Sequence, residues 1–587
     1  MPHGRQPRRA AGARPQRGRL RSTAGRRTGT RMDRVWLKEY PPGVAADIAI
    51  EPRETLVTMF ERACQRYRDR RAFASGRRVI TYGQLDELSR RFAAWLQSLP
   101  GVRPGDRVAV MLPNVLQYPV VLFGAWRAGM VVVNCNPLYT PHELEHQLRD
   151  SGATVLVIVG HRAGVFAEVA AATPVRHVLA TGVGDMLGPV RGPLTNFAVR
   201  YVYRLGTGRV PGAVSWARAM ARSPEDFRPD ATVGPEDLAC LQYTGGTTGR
   251  SKGAMLTHRN LLANVRQINA WFAPKQVPGT EIVITPLPLY HVYALTCNCL
   301  AYVDLGGLNV LILDPRKLDV LIAELRRWKF TAMTGVNTLY QALVEHPDIR
   351  SVDWSHLKIA SAGGMAVMAA TAERWASLTG TCLHEGYGLS ETSPVVTTNP
   401  ATLGCYNGSI GLPLPGTDVT LRDDAGAPVP AGEPGELCVR GPQVMKGYWR
   451  DPAATAAAMT ADGYFRTGDV ASMDARGYFR IVDRKKDMID VAGLKVYPNE
   501  VEGVATRHPA VLEAACIGVP DERTGEAVML YVVLRSGERL STDALREWLR
   551  QDLAPYKIPR HVEFRDTLPK SPVGKVLRRQ LRDDHAA

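Results

Sequence analysis

Apolar positions along this chain fall into short continuous runs that alternate with longer amphipathic stretches from about residue 80 onward. Residues 106–112 (DRVAVML), 130–135 (MVVVNC) and 153–160 (ATVLVIVG) have the length and valine content of buried strands. Between them, 116–128 reads as a helix. Thr140 followed by Pro141 caps a second helix that runs to about 151. Strands that alternate with helices of about 10–14 residues imply parallel β-α-β crossovers and a doubly wound sheet. A second set of alternations runs from about 238 to 385, with strands at 281–285, 308–313 and 357–360 and a helix at 318–329. Two related α/β lobes are predicted.

Near residue 400 the pattern changes. The turn signals GLPLPG (411–416), DAGAP (424–428) and AGEPG (431–435) separate the short strands DVTLRD and GELCVRG. A small antiparallel barrel or sandwich is predicted over 400–480. A charged break, Arg484-Lys-Lys-Asp487, follows, and then an α+β pattern. It has a helix near 498–506, strands at 513–519 and 527–533, and a helix at 542–553 capped by Ser541. The expected class is therefore α/β. Residues 32–483 form a large N-terminal domain of two doubly wound lobes plus a small β-barrel, and residues 484–587 a small α+β domain.

Composition refines this picture in two places. The 587 residues, 45% hydrophobic and 22% charged, suit a folded protein of several domain-sized units. The net charge of +16 is uneven: residues 1–31 hold ten arginines with no lysine and no acid. This head lacks the apolar core of a secretory signal and the Leu, Ile and Phe of an amphipathic targeting helix, so it reads as a disordered extension. It fits an early start codon with Met32 the working initiator, an arginine arm for nucleic acid or anionic lipid, or an expression remnant. Nine scattered cysteines with no C-x-x-C point to a reducing, cytoplasmic compartment. No apolar run reaches membrane-spanning length; the best, 118–133, is broken by Arg127. No insertion segment is visible, so any membrane contact is expected to be transient and peripheral, at the inner face.

Two short patterns are declined on context. His142 and His146 match H-E-x-x-H on a helix, but no third ligand is evident and the helix belongs to a crossover, so a charged, solvent-facing helix start is preferred. Residues 249–253 match G-x-S-x-G, yet the preceding strand ends eight residues before Ser251 with a Gly/Thr loop between.

The same stretch makes better sense whole. Tyr243, Thr244, Gly245, Gly246, Thr247, Thr248, Gly249, Arg250, Ser251, Lys252 and Gly253 combine four glycines, four hydroxyls and cations at a strand–loop–helix junction. That composition suits a phosphate cradle, although the spacing is neither that of a P-loop nor that of a dinucleotide fold. Alone, a flexible loop is the alternative reading. Further elements narrow the choice. SAGGM (361–365, with Gly363 and Gly364) and EGYGLSE (385–391, with Gly386, Tyr387, Gly388, Ser390 and Glu391) follow predicted strand ends, where open α/β sheets place ligands. RTGD (466–469) adds Asp469, DRKKD (483–487) adds Arg484, and LPKSPVGK (568–575) ends in Lys575.

In this order the motifs resemble those of the adenylate-forming superfamily of acyl-CoA synthetases, non-ribosomal adenylation domains and luciferases. The similarity covers essentially residues 33–587. It looks closest to bacterial long-chain fatty acid–CoA ligases, through PLPLYHV (286–292), TGVNTLY (334–340) and DRKKDMI (483–489). The resemblance implies a two-step reaction. ATP and a carboxylate give an acyl-adenylate and pyrophosphate, and the CoA thiol then displaces AMP. Residues 244–252 would hold the β- and γ-phosphates, and Thr244 and Glu391 match the Mg²⁺-coordinating positions. Gly363-Gly364 and Gly386-Tyr387 would sandwich adenine. Asp469 would accept the ribose hydroxyls with Arg484 nearby, and Lys575 would reach the α-phosphate and acyl oxygens. The usual Tyr-Gly-x-Thr-Glu is here Tyr-Gly-Leu-Ser-Glu; Ser390 keeps the hydroxyl, so activity is expected to survive. The resemblance also implies a mobile C-terminal domain, hinged at 483–486, whose second pose presents the Gly493 strand to the CoA tunnel.

An amino-acid substrate would need a buried carboxylate for its ammonium. The stretches 290–296 and around 335–337 contain no acid and suit an apolar chain. His291 flanks the substrate carboxylate or is a core histidine. The expected partners are a fatty acid, ATP and CoA; no nucleic acid is expected, and the oligomeric state stays open, a homodimer among the options. The alternatives are a medium-chain or other carboxylic acid–CoA ligase, an acyl-AMP ligase loading a carrier protein and, from another class, nucleic-acid binding through the arginine head.

Overall fold

The computed structural model describes residues 34–203, 205, 210–229, 232–244, 251–492, 494–571 and 576–586. Seven strands form the first sheet in the spatial order Val214–Ser215, His177–Thr181, Val155–Val159, Arg107–Met111, Val131–Asn134, Leu238–Thr244 and Lys252–Thr257. All neighbours are parallel except the last pair, which is an antiparallel hairpin. The helix after Val131–Asn134 is Pro141–Ser151, and Thr140 closes a capping box with Glu143 at its start.

The second sheet has nine strands, ordered Leu412–Pro413, Val395–Thr398, Leu383–Gly388, Ile359–Ala362, Ala332–Gly335, Ile282–Thr285, Leu308–Leu311, Arg71–Ser75 and Arg78–Thr81. Its interior is parallel and its edges antiparallel. The strand pattern thus divides into two doubly wound lobes, but the lobes exchange segments. The strand at 238–244, which opens the second set along the chain, pairs with Val132 and Val133 in the first sheet. The early hairpin at 71–81 joins the second sheet instead, with Phe73 opposite Asn309. Local periodicity specifies a strand; which sheet it enters depends on partners far away in sequence.

Both lobes share one apolar core. Gln117–Arg127 is buried on every face, as expected of a helix sandwiched between layers. Phe60 of Leu56–Arg66 stacks on Phe123 with ring centroids 3.9 Å apart, and the Trp126 indole donates to the Ala239 carbonyl at 2.8 Å. The Tyr82 hydroxyl reaches the Gly307 carbonyl at 2.7 Å and ties Tyr82–Gln97 to the second lobe.

A four-stranded antiparallel sheet follows, in the order Asp418–Arg422, Gly435–Arg440, Phe465–Met473 and Phe479–Arg484. After the turn at 485–488 comes a five-stranded sheet, in which Leu494–Val496, Ile489–Val491, Gly525–Leu534 and Val511–Asp521 are antiparallel and His561–Phe564 pairs parallel to Gly525–Leu534. Thr542–Arg550, capped by Ser541, buries Leu545 and Leu549 against it. No helix among the described residues is long and apolar enough to cross a membrane.

Candidate active site

The C-terminal ends of the parallel strands, the four-stranded sheet and the turn at 485–488 enclose one cavity of about 680 Å³. That volume is within the usual range for small-molecule and cofactor sites. Thr244, Lys252, His291, Gly363, Gly364, Gly386, Tyr387, Gly388, Ser390, Glu391, Asp469 and Arg484 all line it, so motifs spread over 240 residues of sequence meet in one place.

The pairing of Phe465–Met473 with Phe479–Arg484 sets Asp469 opposite Arg484. The Arg484 Nε lies 3.3 Å from Asp469 Oδ1, and the Tyr387 hydroxyl donates to Oδ2 at 2.5 Å. A buried carboxylate is thereby paired and held at one orientation. Tyr387 comes from the end of Leu383–Gly388, which is paired with Val395–Thr398, so this motif lies in the strand itself rather than in a loop beyond it. Gly388 is required there: a Cβ would sit 2.0 Å from the Pro394 carbonyl oxygen.

Glu391 is nearly buried, and the loss of water raises its carboxyl above the ordinary carboxylate value. The Asp469 charge adds to the rise, while Arg484 and the Tyr448 hydroxyl, which donates to Oε1 at 2.9 Å, oppose it. Lys252 stands opposite Thr244 in the hairpin, with Nζ 3.7 Å from Asp451 and 5.4 Å from the Tyr448 ring centroid. Tyr448 was not singled out by the sequence. Its place is set by backbone bonds between 446–449 and Lys252–Thr257, among them Trp449 N–H to the Gly253 carbonyl at 2.8 Å. The Gly-Tyr-Trp run at 447–449 is the signal that could have marked it.

His291 is half-buried and lines the cavity. Desolvation lowers its imidazole to about 4, so it is neutral near pH 7. Its Nδ1 accepts from the Tyr293 N–H at 3.2 Å, which leaves the neutral ring's proton on Nε2 as a donor. The apolar part of the lining includes Ile268 and Phe272 from His258–Phe272, with Cys297, Tyr302, Met333 and Val336. Among the described residues, Glu391 and Asp469 are the only acids on the wall. Lys486 also lines it, its ammonium lowered by burial and by the nearby Arg484 and Arg582.

Not every candidate meets the others. The Tyr243 hydroxyl turns away from the cavity and donates to Asp150 Oδ2 at 2.5 Å. Gly245, Gly246, Thr247, Thr248, Gly249, Gly493 and Lys575 lie outside the described residues. Of the declined histidines, His146 places Nε2 3.1 Å from the Ser251 carbonyl.

Comparison with known proteins gives a concordant result. Residues 60–449 match the AMP-binding enzyme family, and residues 500–575 match the AMP-binding enzyme C-terminal domain. A long-chain-fatty-acid–CoA ligase of Escherichia coli O6:H1 is 51% identical over 554 residues, covering 94% of this chain and 98% of its own length. A protein of the same name from Yersinia pestis is 52% identical with the same coverage. Among solved structures, ATP-bound MatB from Rhodopseudomonas palustris superposes with a TM-score of 0.78 at 30% identity, covering 91% of this chain and 99% of that one.

Proposed function

We propose, for a chain that belongs to the AMP-binding enzyme family, the ATP-dependent ligation of a long-chain fatty acid to coenzyme A with release of AMP and pyrophosphate. One structural observation carries this reading. A single cavity joins a paired, oriented carboxylate at Asp469 to walls of Ile268, Phe272, Met333 and Val336 that carry no acid.

A carboxylate is a poor electrophile, and adenylation converts its oxygen into a leaving group. Asp469, fixed by Tyr387 and Arg484, is suited to accept hydrogen bonds from ribose hydroxyls, and the glycines at 363–364 and 386 leave flat surface for the base. Thr244, Lys252 and Ser390 offer hydroxyls and a cation to phosphate oxygens on the same wall. The neutral His291, with Nε2–H free to donate, is placed to orient the fatty acid carboxylate without a fixed charge of its own. The acyl chain then lies against the apolar wall, where each buried methylene contributes about 0.8 kcal/mol.

The residues present fit a divalent cation. Glu391 is a desolvated carboxylate that accepts from the Tyr448 hydroxyl, and the Thr244 oxygen lines the same wall. Mg²⁺ held by Glu391 and Thr244 would neutralise phosphate charge when bound. Lys575 is assigned to the negative charge that builds at the α-phosphate. The chain is read as an N-terminal domain over 32–483 and a mobile domain over 484–587, with the hinge at 483–486 and Gly493 facing the thioester step. The bilayer-resident substrate brings with it transient, peripheral membrane contact.

AMP release measured with acids from short to long chain and with aryl acids, with and without CoA, tests this reading. CoA-dependent release that is greatest with long chains supports it. Release independent of CoA, or none with any fatty acid, overturns it.

A further inference from the structure

Fourteen large apolar side chains are exposed among the described residues, and seven of them fall between Val190 and Leu205. The helix Arg191–Phe197 continues directly into a wider turn, Ala198–Val202. Val190, Leu194, Phe197 and Tyr201 follow one another at intervals of four, three and four, so they share one face, and each is more than half exposed. The opposite face is anchored. Gly192 packs so closely on Gly184 that a Cβ on Gly192 would lie 2.7 Å from the Gly184 carbonyl oxygen. The Asn196 side chain accepts from the Gly184 N–H and donates to Asp185, both at 2.8 Å. The apolar face is therefore held outward by its own seat.

Along its own stretch of sequence the charge is one-sided, while the neighbouring segment 313–320 carries Asp314, paired with Arg316, and Asp319 beside its cations. No acid occurs between Asp185 and Glu225, where the sequence has six arginines. Arg191 and Arg200 are exposed beside the apolar stripe, and Lys317 places its ammonium 4.7 Å from the Tyr203 ring centroid. That contact joins the residues just after the stripe to a neighbouring segment with exposed Leu313 and Val320. Arg316 of that segment is close enough to act electrostatically on Tyr290, the neighbour of His291 in the cavity wall.

We propose that the face formed by Val190, Leu194, Phe197 and Tyr201, flanked by Arg191, Arg200 and Lys317, is a docking surface for an anionic lipid bilayer. An apolar stripe rimmed by cations is what an interfacial helix needs: its side chains enter the acyl boundary and its charges meet the headgroups. The sequence pattern hides it, because the stripe is too short for a spanning segment and is interrupted by polar residues. The surface deepens the fatty acid reading, and the test separates the two.

The full chain and two variants, Phe197→Asp/Tyr201→Asp and Arg191→Glu/Arg200→Glu, are mixed with phosphatidylcholine vesicles with or without about one-third phosphatidylglycerol, and flotation is measured. The wild type is expected to float with anionic vesicles and both variants about tenfold less, at unchanged melting temperature. Turnover of a short, monomeric acid should be equal in all three, while turnover of vesicle-borne palmitate falls in the variants. Equal flotation of wild type and variants, or none by any of them, overturns the proposal. So does a dimer that dissociates in the Phe197→Asp/Tyr201→Asp variant without vesicle binding, which assigns the face to a second copy. Failure to form acyl-CoA from any acid would instead count against the ligase reading, since flotation needs no turnover.

Discussion

The polar part of the cavity is a mesh of named atoms: Tyr387 and Arg484 on Asp469, Tyr448 on Glu391, Asp451 near Lys252. The apolar part has no such mesh. Ile268, Phe272, Cys297 and Met333 face the space from two helical segments and a strand, and they are held by packing alone. The polar part can be damaged by losing one oxygen, because a buried charge left unpaired is costly. The apolar part tolerates exchange of side chains but sets volume, so changes there should alter which acid is used rather than whether ATP is used.

The sharpest test of this contrast is Lys575→Ala, which should slow adenylation by roughly 10²–10³-fold. Thioester formation from a preformed acyl-adenylate should suffer much less, and equal loss in both steps would remove Lys575 from the polar machinery. Asp469→Ala leaves Arg484 and Tyr387 without their shared partner. It should raise KM for ATP on the order of a hundredfold and leave chain-length preference untouched. Lys486→Pro stiffens the turn that leads into the last domain. Single-turnover assays should show thioester formation falling about tenfold more than adenylation; a normal second step would refute a hinge here.

On the apolar side, Cys297→Trp fills part of the wall. It should lower kcat/KM for long acids relative to short ones by about tenfold or more, given what each methylene contributes, with KM for ATP unchanged. The smallest effect concerns the support of the polar part. Burial pushes the Glu385 carboxyl up to about 8 from 4.5, although it accepts from the Val367 N–H at 3.1 Å. The folded state keeps a proton that the unfolded chain releases above pH 4.5. Stability is therefore full below that pH and declines as pH rises toward 8. Glu385→Gln should thus be more stable than wild type at pH 8, with the difference closing by pH 4.5 in calorimetry.

Legibility followed the same division. Asp469, Glu391, Tyr387 and Arg484 could be named from short contiguous phrases, because each must present a particular atom and so demands a particular residue at a particular spacing. Tyr448 and Asp150 escaped notice. Their roles depend on contacts with Glu391 and Tyr243, respectively 57 and 93 residues away, and no local spacing encodes that. The apolar wall was legible only as an absence of acids near 290–296 and around 335–337.

The sequence by itself determined the alternation of strands and helices, the caps at Thr140 and Ser541, the order of the polar motifs and the concentration of arginine in residues 1–31. These are local properties, written in periodicity, turn chemistry and composition. Tertiary structure alone decided that Leu238–Thr244 closes the first sheet and Arg71–Ser75 joins the second, that Tyr243 turns to Asp150, and that Tyr448 meets Glu391. It also decided that the apolar stripe at 190–201 faces outward while Gln117–Arg127 is enclosed. Burial depends on what the rest of the chain brings alongside, and hydrophobic attraction carries no address of its own.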